Sequence, residues 1–378
     1  MKILTVDVGT GTQDIFLYDS ALDLENGFKL VVPSPTMLVH RRLKQATQRG
    51  EAVLLTGVIM GGGPSQWAAA DHVRAGFPVY ATPEAARSFN DDLDYVQREM
   101  GLRLVSEDEA RRLDGGVTRL ELKDFDLAAI AAAFAQFGVR LEVDAIGVAV
   151  FDHGNSPPDY SDRQFRFDYL DERLRAHNRL SAFAFRAADA PPSMTRLRAV
   201  AASYDGDAPL VVMDTAPAAV LGARLDPRVG GRERVVVANV GNFHTLAFRL
   251  GPGGIEGVFE HHTGEIDTAK LDGLLARLAD SSLRHADVFD DMGHGALIYE
   301  PEPLPLDAGE YGVAVTGPRR GLMRASRHRP YFAVPYGDMM IAGCFGLLAA
   351  MADVLPEAGE TIRASLRGGP GAAPWDAG

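Results

Sequence analysis

Asp7, Gly9, Thr10, Gly11 and Thr12, within ILTVDVGTGTQD, are residue types that could hold a phosphate and its accompanying cation. Apolar residues on both sides of a Gly-rich turn read as a β-hairpin, and Gly9 and Gly11 open backbone conformations that most residues avoid. Successive N–H groups of such a turn point into one concavity, Thr10 and Thr12 add hydroxyl donors, and Asp7 could hold a metal-bound water. Turn geometry alone would also select glycine and threonine. The theme recurs far along the chain in RVVVANVGNFHTLAFRL, where a β-branched run enters Asn239 and the loop Gly241, Asn242, Phe243, His244, Thr245 follows. One such hairpin is ordinary, whereas two suggest a pair of facing loops.

Further chemistry-bearing residues sit at strand ends, the usual ligand-binding edge of an open α/β sheet. The run VDAIGVAVFDHG ends at Asp152 and His153, and PLVVMD ends at Asp214. Asp152 is the first candidate general base and Asp214 the second; a loop-capping or solvated residue is the other reading of Asp152 and, more so, of His153. Two histidine-rich stretches, EHHTGE and DDMGHGA, offer Glu260, His261, His262, Asp290, Asp291 and His294, enough imidazole and carboxylate for a metal site. Adjacent strand residues point to opposite faces, so His261 and His262 are not expected to share one ion. Arg163 and Arg166 could bind an anionic substrate, or lie solvated on the surface.

These residues need a scaffold large enough to place them. The 378 residues exceed one core, so two lobes are expected, and 46% hydrophobic with 24% charged residues fits a soluble globular protein. A formal net charge of −13 argues against nucleic acid or an anionic membrane as partner. No run is long enough to span a bilayer and no cleavage-site pattern follows the N-terminal strand, so a cytoplasmic protein is expected. The single cysteine, Cys344, reads as a buried inert thiol and cannot supply the three or four thiolates of an iron–sulfur cluster. Strand and helix signals alternate: EAVLLTG, a glycine loop and PSQWAAADHVRAG; FPVYAT and a helix from Pro83 through PEAARSFNDDLDYVQREMG; DFDLAAIAAAFAQFG as a helix. The helix APAAVLGARL, started by Pro217, carries small residues that permit close packing on another helix, and PYGDMMIAGCFGLLAAMADVL reads as a small-residue helix near the end.

In this order the pieces resemble the superfamily of actin, sugar kinases and heat-shock chaperones. DVGTGTQD resembles its first phosphate motif, DTAPAAVLGA the first connecting helix, VANVGNFHTLAF the second phosphate motif, VAVTGPRR the adenosine motif and YGDMMIAGCFGLLAA the second connecting helix. More narrowly, EHHTG, GHGA and PYGDMM are similar to a bacterial and archaeal family labelled as pyruvate formate-lyase activating enzyme.

The resemblance implies an α/β, two-lobed actin-like ATPase (ribonuclease H-like) fold, each lobe a mixed sheet flanked by helices, with Mg-ATP in the cleft between them. Lobe I would be residues 1–208, with 336–355 returning to it as a connecting helix, and lobe II residues 209–335; composition, dominated at the end by Gly, Ala and Pro, makes 356–378 an expected disordered tail. Asp7 would order Mg²⁺-bound water, Gly9 to Thr12 would cradle the phosphates from one side, and Gly241, Asn242 and Thr245 from the other. Gly317 and Pro318 would pass close to adenine and ribose, and Arg319 would stack on the base or reach the α-phosphate. Asn239 stands where relatives commonly have aspartate and cannot supply a negative ligand. His244 either contacts phosphate or fills its loop. His153, His261, His262, His294 and Arg163 are candidates for the acceptor side. The leading expectation is an ATP-dependent phosphotransferase or ATPase acting on an unidentified small-molecule acceptor. One alternative is a nucleotide-dependent switch acting on a protein partner. Another is a metal-dependent hydrolase with an additional transition metal on the histidines.

Overall fold

The computed structural model describes residues 1–113, 115–368, 371–372 and 374–375. Apolar strand runs broken by polar turns give β1 (Lys2–Val8), β2 (Thr12–Asp19) and β3 (Phe28–Pro33), then β4 (Ala52–Gly57), β5 (Val79–Ala81), β6 (Arg103–Leu104) and β7 (Val117–Leu122). After these come β8 (Ala145–Val150), β9 (Ala184–Arg186) and β10 (Leu210–Asp214). The remaining strands are β11 (Val235–Val240), β12 (His244–Gly251), β13 (Gly254–His262), β14 (Gly295–Ile298), β15 (Val313–Thr316) and β16 (Tyr331–Phe332).

They assemble into two six-stranded mixed sheets, ordered β3-β2-β1-β8-β10-β9 and β14-β13-β12-β11-β15-β16. Both contain an antiparallel meander whose first strand continues into parallel neighbours: β1 beside β8, β11 beside β15. Each sheet is covered on both faces. Against the first lie the helices Ala342–Val354 on one side and Leu127–Ala135 with Thr195–Ala202 on the other. The second is covered by Thr215–Ala223 with Asp162–Ala176, and by Thr268–Ala279 opposite. Two-sided cover explains why β8 (AIGVAV) and β10 (LVVMD) are buried at every position. A third, all-parallel sheet, β6-β5-β4-β7, lies between β3 and β8 in the chain and has its own core around Val53, Leu55 and Ala69.

Helices Thr215–Ala223 and Ala342–Val354 join the two halves. They touch backbone to backbone: a Cβ on Gly222 would run into the Ala342 carbonyl, and one on Gly346 into the Ala218 carbonyl. The small residues in APAAVLGARL therefore serve the close contact expected of them. Asp214, not Pro217, starts the first of these helices, accepting the Ala216 N–H as its cap.

Three boundaries differ from expectation. β10 pairs within the first sheet, so the division expected at 208/209 falls one strand early. The segment from Pro83 breaks into two short helices, Pro83–Ala86 and Leu93–Arg98, because Asn90, Asp91 and Asp92 form a turn whose Asp92 caps the second. Residues 356–366, expected as disordered tail, form a helix started by Pro356 and anchored by buried Ala358 and Ile362. Of the rest of that tail, residues 369, 370, 373 and 376–378 lie outside the described residues. No described helix is long and apolar enough to cross a membrane.

Candidate functional site

The two Gly-containing hairpins face one cleft between the sheets. Gly9 N–H donates to the Thr12 carbonyl at 2.9 Å and Gly241 N–H to the His244 carbonyl at 3.0 Å, closing two-residue turns at Thr10-Gly11 and Asn242-Phe243. None of Gly9, Gly11 and Gly241 has positive φ; the conformational reason given for the first two fails, and the reason is space. A Cβ on Gly11 would strike the Asn242 amide of the opposite hairpin, and one on Gly241 would sit 2.6 Å from the His244 carbonyl. Asp7, Gly9, Thr10, Thr12, Asn239, Gly241, Asn242, His244, Gly317 and Pro318 all line this cleft of about 790 Å³. Gly317 has φ +97° beside the Asn239 side chain, so glycine is required there.

The floor carries two buried carboxylates. The two-residue turn sets Asp7 directly opposite Asp14, and both line the cleft. Burial pushes Asp7 up to about 6 although the Thr215 hydroxyl donates to its Oδ1 at 2.5 Å. Burial, reinforced by Asp7, pushes Asp14 up to about 8, and Asp14 Oδ1 is buried without a partner. The first turns of helices Thr215–Ala223 and Ala342–Val354 reach the same floor at Thr215, Ala216, Ala342 and Gly343. Their N-terminal dipoles favour an anion there. Oxygen donors with an unpartnered buried atom fit a hard cation such as Mg²⁺, and the helix ends fit the phosphates it would accompany. Asp14 went unread in the sequence, although a two-residue turn at Thr10-Gly11 fixes the pairing 9 with 12, 8 with 13 and 7 with 14.

A second cavity adjoins the first and shares Thr10, Phe151, Arg196, Phe243 and His244 with it. Its far wall comes from the inserted sheet, through Met60 to Gly63 and Ser88 to Asp91. Burial, with Asp162 nearby, pushes Asp91 up to about 6. Arg196 stands between the cavities, held by Asp124 at 2.6 Å and donating to the Phe151 carbonyl at 2.6 Å. No local pattern distinguishes Asp91 and Arg196 from surface residues in the sequence.

Both candidate bases are otherwise engaged. Asp152 lines the second cavity, yet its Oδ1 accepts from Gly154 N–H at 2.8 Å within its own loop and its Oδ2 from Leu197 N–H at 2.9 Å, in the first turn of the helix that carries Arg196. Asp214 caps its own helix and pairs with Arg166 at 2.6 Å. Arg166 is only 1% exposed and also reaches Glu260 at 2.9 Å, so one guanidinium ties β10 to β13 across the sheets. Burial still holds Glu260 up to about 7 despite that partner. Neither arginine is solvated: Arg163 donates to the Phe289 and Gly293 carbonyls.

Four imidazoles gather beside the second hairpin. His153 Nε2 lies 2.9 Å from His294 Nε2, and ligand atoms of His153, His244 and His294 all lie within 4.8 Å of one another. His262 packs on His294 with ring centroids 4.7 Å apart, its Nδ1 2.8 Å from the Met292 carbonyl. Burial pushes His153 down to about 3 and lowers His244 and His294 well below the usual imidazole range. His261 alternates to the other face, as its neighbour's position demands, and lies 3.4 Å from Asp291; Asp290 and Asp291 are exposed and outside the cluster. Thr245 is buried and bonded to the Thr263 hydroxyl, so its hydroxyl does not line the cleft, and exposed Arg319 does not line it either.

No curated protein is matched by the sequence. Among solved structures, a ROK hexokinase from Thermus thermophilus is similar at 13% identity and TM-score 0.22, over 68% of this chain and 47% of that one. This chain thus spans about half of the hexokinase's length. The ethanolamine utilization protein EutJ from Carboxydothermus hydrogenoformans is 12% identical at TM-score 0.30, over 92% and 89% of the two chains. A carbohydrate kinase from Novosphingobium aromaticivorans is 12% identical at TM-score 0.24, over 98% and 92%. A family profile described as "Putative pyruvate format-lyase activating enzyme (DUF1786)" matches residues 60–322. That span is well over half of the 378 residues, and the chain therefore belongs to this family.

Proposed function

We propose that the protein is an ATP-binding phosphotransferase or ATPase of the actin-like superfamily, with Mg-ATP in the cleft between its two mixed sheets. The observation that carries this reading is the convergence of two hairpin turns, two helix N-termini and the Asp7–Asp14 pair on one cavity. Asp7 and Asp14 would hold Mg²⁺, which when bound neutralises phosphate charge. Gly9 to Thr12 and Gly241 to Asn242 would contact the phosphates through backbone groups, while Gly317 and Pro318 would lie along the nucleoside. The second cavity would take the acceptor. Arg196, between the two cavities, would stabilise charge on the group being transferred. Asp91, which lines the acceptor cavity, would take the acceptor's proton in place of the engaged Asp152 and Asp214.

The cluster chemistry suggested by the family's description needs three or four thiolates. This chain has one cysteine, Cys344, and it is fully buried beside the Asp14 carbonyl at 3.1 Å. A second reading, a nucleotide-dependent switch with a protein partner, is favoured by the second hairpin, where Asn239 faces Leu246 and no carboxylate stands. Calorimetric titration tests the shared core of both readings. ATP with Mg²⁺ should bind, and Asp7→Ala should weaken it at least about tenfold, the equivalent of one charge-assisted contact. Absence of binding heat for ATP, ADP and GTP would overturn both. Hydrolysis without a partner supports the enzyme; a copurifying protein that ATP releases supports the switch.

A further inference from the structure

Three of the four clustered imidazoles come from segments that meet only in the folded chain. His153 follows β8 in the first sheet, His244 opens β12 and His294 precedes β14 in the second. Asp152 fixes the first by clamping the helix at Leu197; the hairpin turn fixes the second; the His294 N–H donates to the Glu260 carbonyl at 2.9 Å and fixes the third. Phe151 stacks on His244 at 4.0 Å with 10° between the rings, which holds that ring's plane.

We propose that His153, His244 and His294 form a binding site for one divalent transition-metal cation of the zinc type, with its fourth position open to the acceptor cavity. Three nitrogen donors with one open position is the donor set of catalytic zinc sites. Metal–nitrogen bonds of about 2.0–2.1 Å place tetrahedral nitrogens roughly 3.3 Å apart. The observed 2.9 Å between two Nε2 atoms, and the 4.8 Å limit on the rest, bracket that spacing. Simple packing leaves one feature that a cation removes. His244 Nε2 is buried with no partner, a costly state for a polar atom. His294 Nδ1, also buried and without a hydrogen bond, lies 3.4 Å from Glu260 Oε1, the carboxylate–histidine arrangement that orients a ligand ring. Beneath the cluster, Arg166 faces both Asp214 and Glu260, so one cationic side chain serves two carboxylates. His153 and His244 both line the second cavity, so the open position faces the place proposed for the acceptor and could bind its oxygen or a water.

The test uses full-length protein stripped with chelator and titrated with Co²⁺, without nucleotide. The expected result is one Co²⁺ per chain with the intense visible bands of four-coordinate cobalt, competed away by Zn²⁺. The His153→Gln and His294→Gln variants should bind more than about 100-fold more weakly, beyond the usual loss for an outer-shell partner. A variant at exposed His177, His177→Gln, should bind like the native chain. Weak octahedral cobalt spectra in the native protein, or equal affinity in all three variants, would overturn the site. The native spectrum decides even if a variant misfolds. Failure here leaves the nucleotide reading intact, and failure of ATP binding does not touch the metal site.

Discussion

Replacing Arg166 by methionine should be the most damaging single change to this fold outside its glycines. The guanidinium is 1% exposed, 2.6 Å from Asp214 and 2.9 Å from Glu260, and it also donates to the Asp152 carbonyl at 2.8 Å. A methionine follows the arginine stem as far as the Nε position, so the packing of the stem is largely retained while the guanidinium's contact over the Phe151 ring, at 3.9 Å, is lost. The cost is then electrostatic: two carboxylates, 4% and 2% exposed, remain buried without a counter-ion. Removing one partner of a buried ion pair costs about 3–5 kcal/mol, and two orphaned carboxylates place Arg166→Met at the upper end. Adding Asp214→Asn removes one orphaned charge and should recover roughly half of the loss, so the two changes are strongly non-additive. Urea denaturation of the native protein, both single variants and the double variant gives the cycle directly. A loss below about 1 kcal/mol for Arg166→Met, the range of exposed pairs, or additive effects in the double variant, would refute the bridging role.

With saturating Mg²⁺ and ATP, which keep Asp7 and Asp14 ionised, the rate of ATP hydrolysis with water as acceptor should fall as pH drops through about 6, because Asp91 must be unprotonated to act as a base, and Asp91→Asn should remove that limb; an unchanged pH profile would exclude Asp91. Gly346→Ala puts a methyl group against the Ala218 carbonyl, with backbone on both sides and no side chain able to yield. It should cost about 1–3 kcal/mol of stability by thermal or urea melts, whereas Gly253→Ala, where an added Cβ meets nothing, should stay within about 0.5 kcal/mol. In Mg²⁺ titrations, Asp14→Asn should weaken MgATP binding while leaving metal-free ATP binding nearly unchanged; equal losses in both would mean that Asp14 shapes the floor without serving the cation.

The hairpins were legible because a glycine turn between two apolar runs is a local signal, and their facing geometry followed from there being two of them. Strand alternation likewise separated His261 from His262 correctly. The engagement of Asp152 and Asp214 was not legible, because an aspartate at a strand's end looks the same whether its carboxylate is free or bonded to backbone; only the positions of the Leu197 and Ala216 N–H groups decide. The histidine cluster was invisible as a set: His153 and His294 are 141 residues apart and come from different sheets. The inserted sheet that builds the far wall of the second cavity was read as part of one alternating lobe, since parallel strands and helices carry the same pattern whichever sheet they join.

The contact between Gly222 and the Ala342 carbonyl, matched by Gly346 against the Ala218 carbonyl, limits how the two halves can shift. Bare backbone has no side chains to bend or slide past, so relative motion must turn about this crossing as about an axle. Displacement then grows with distance from it. Asp7 sits almost on the axle, against Gly343, while Trp67 and Phe243, whose rings are 5.9 Å apart, belong to opposite halves and to neither of the crossing helices. A rotation of a few degrees would leave the carboxylates undisturbed and part those two rings, so the aromatic pair is the sensitive end of the lever.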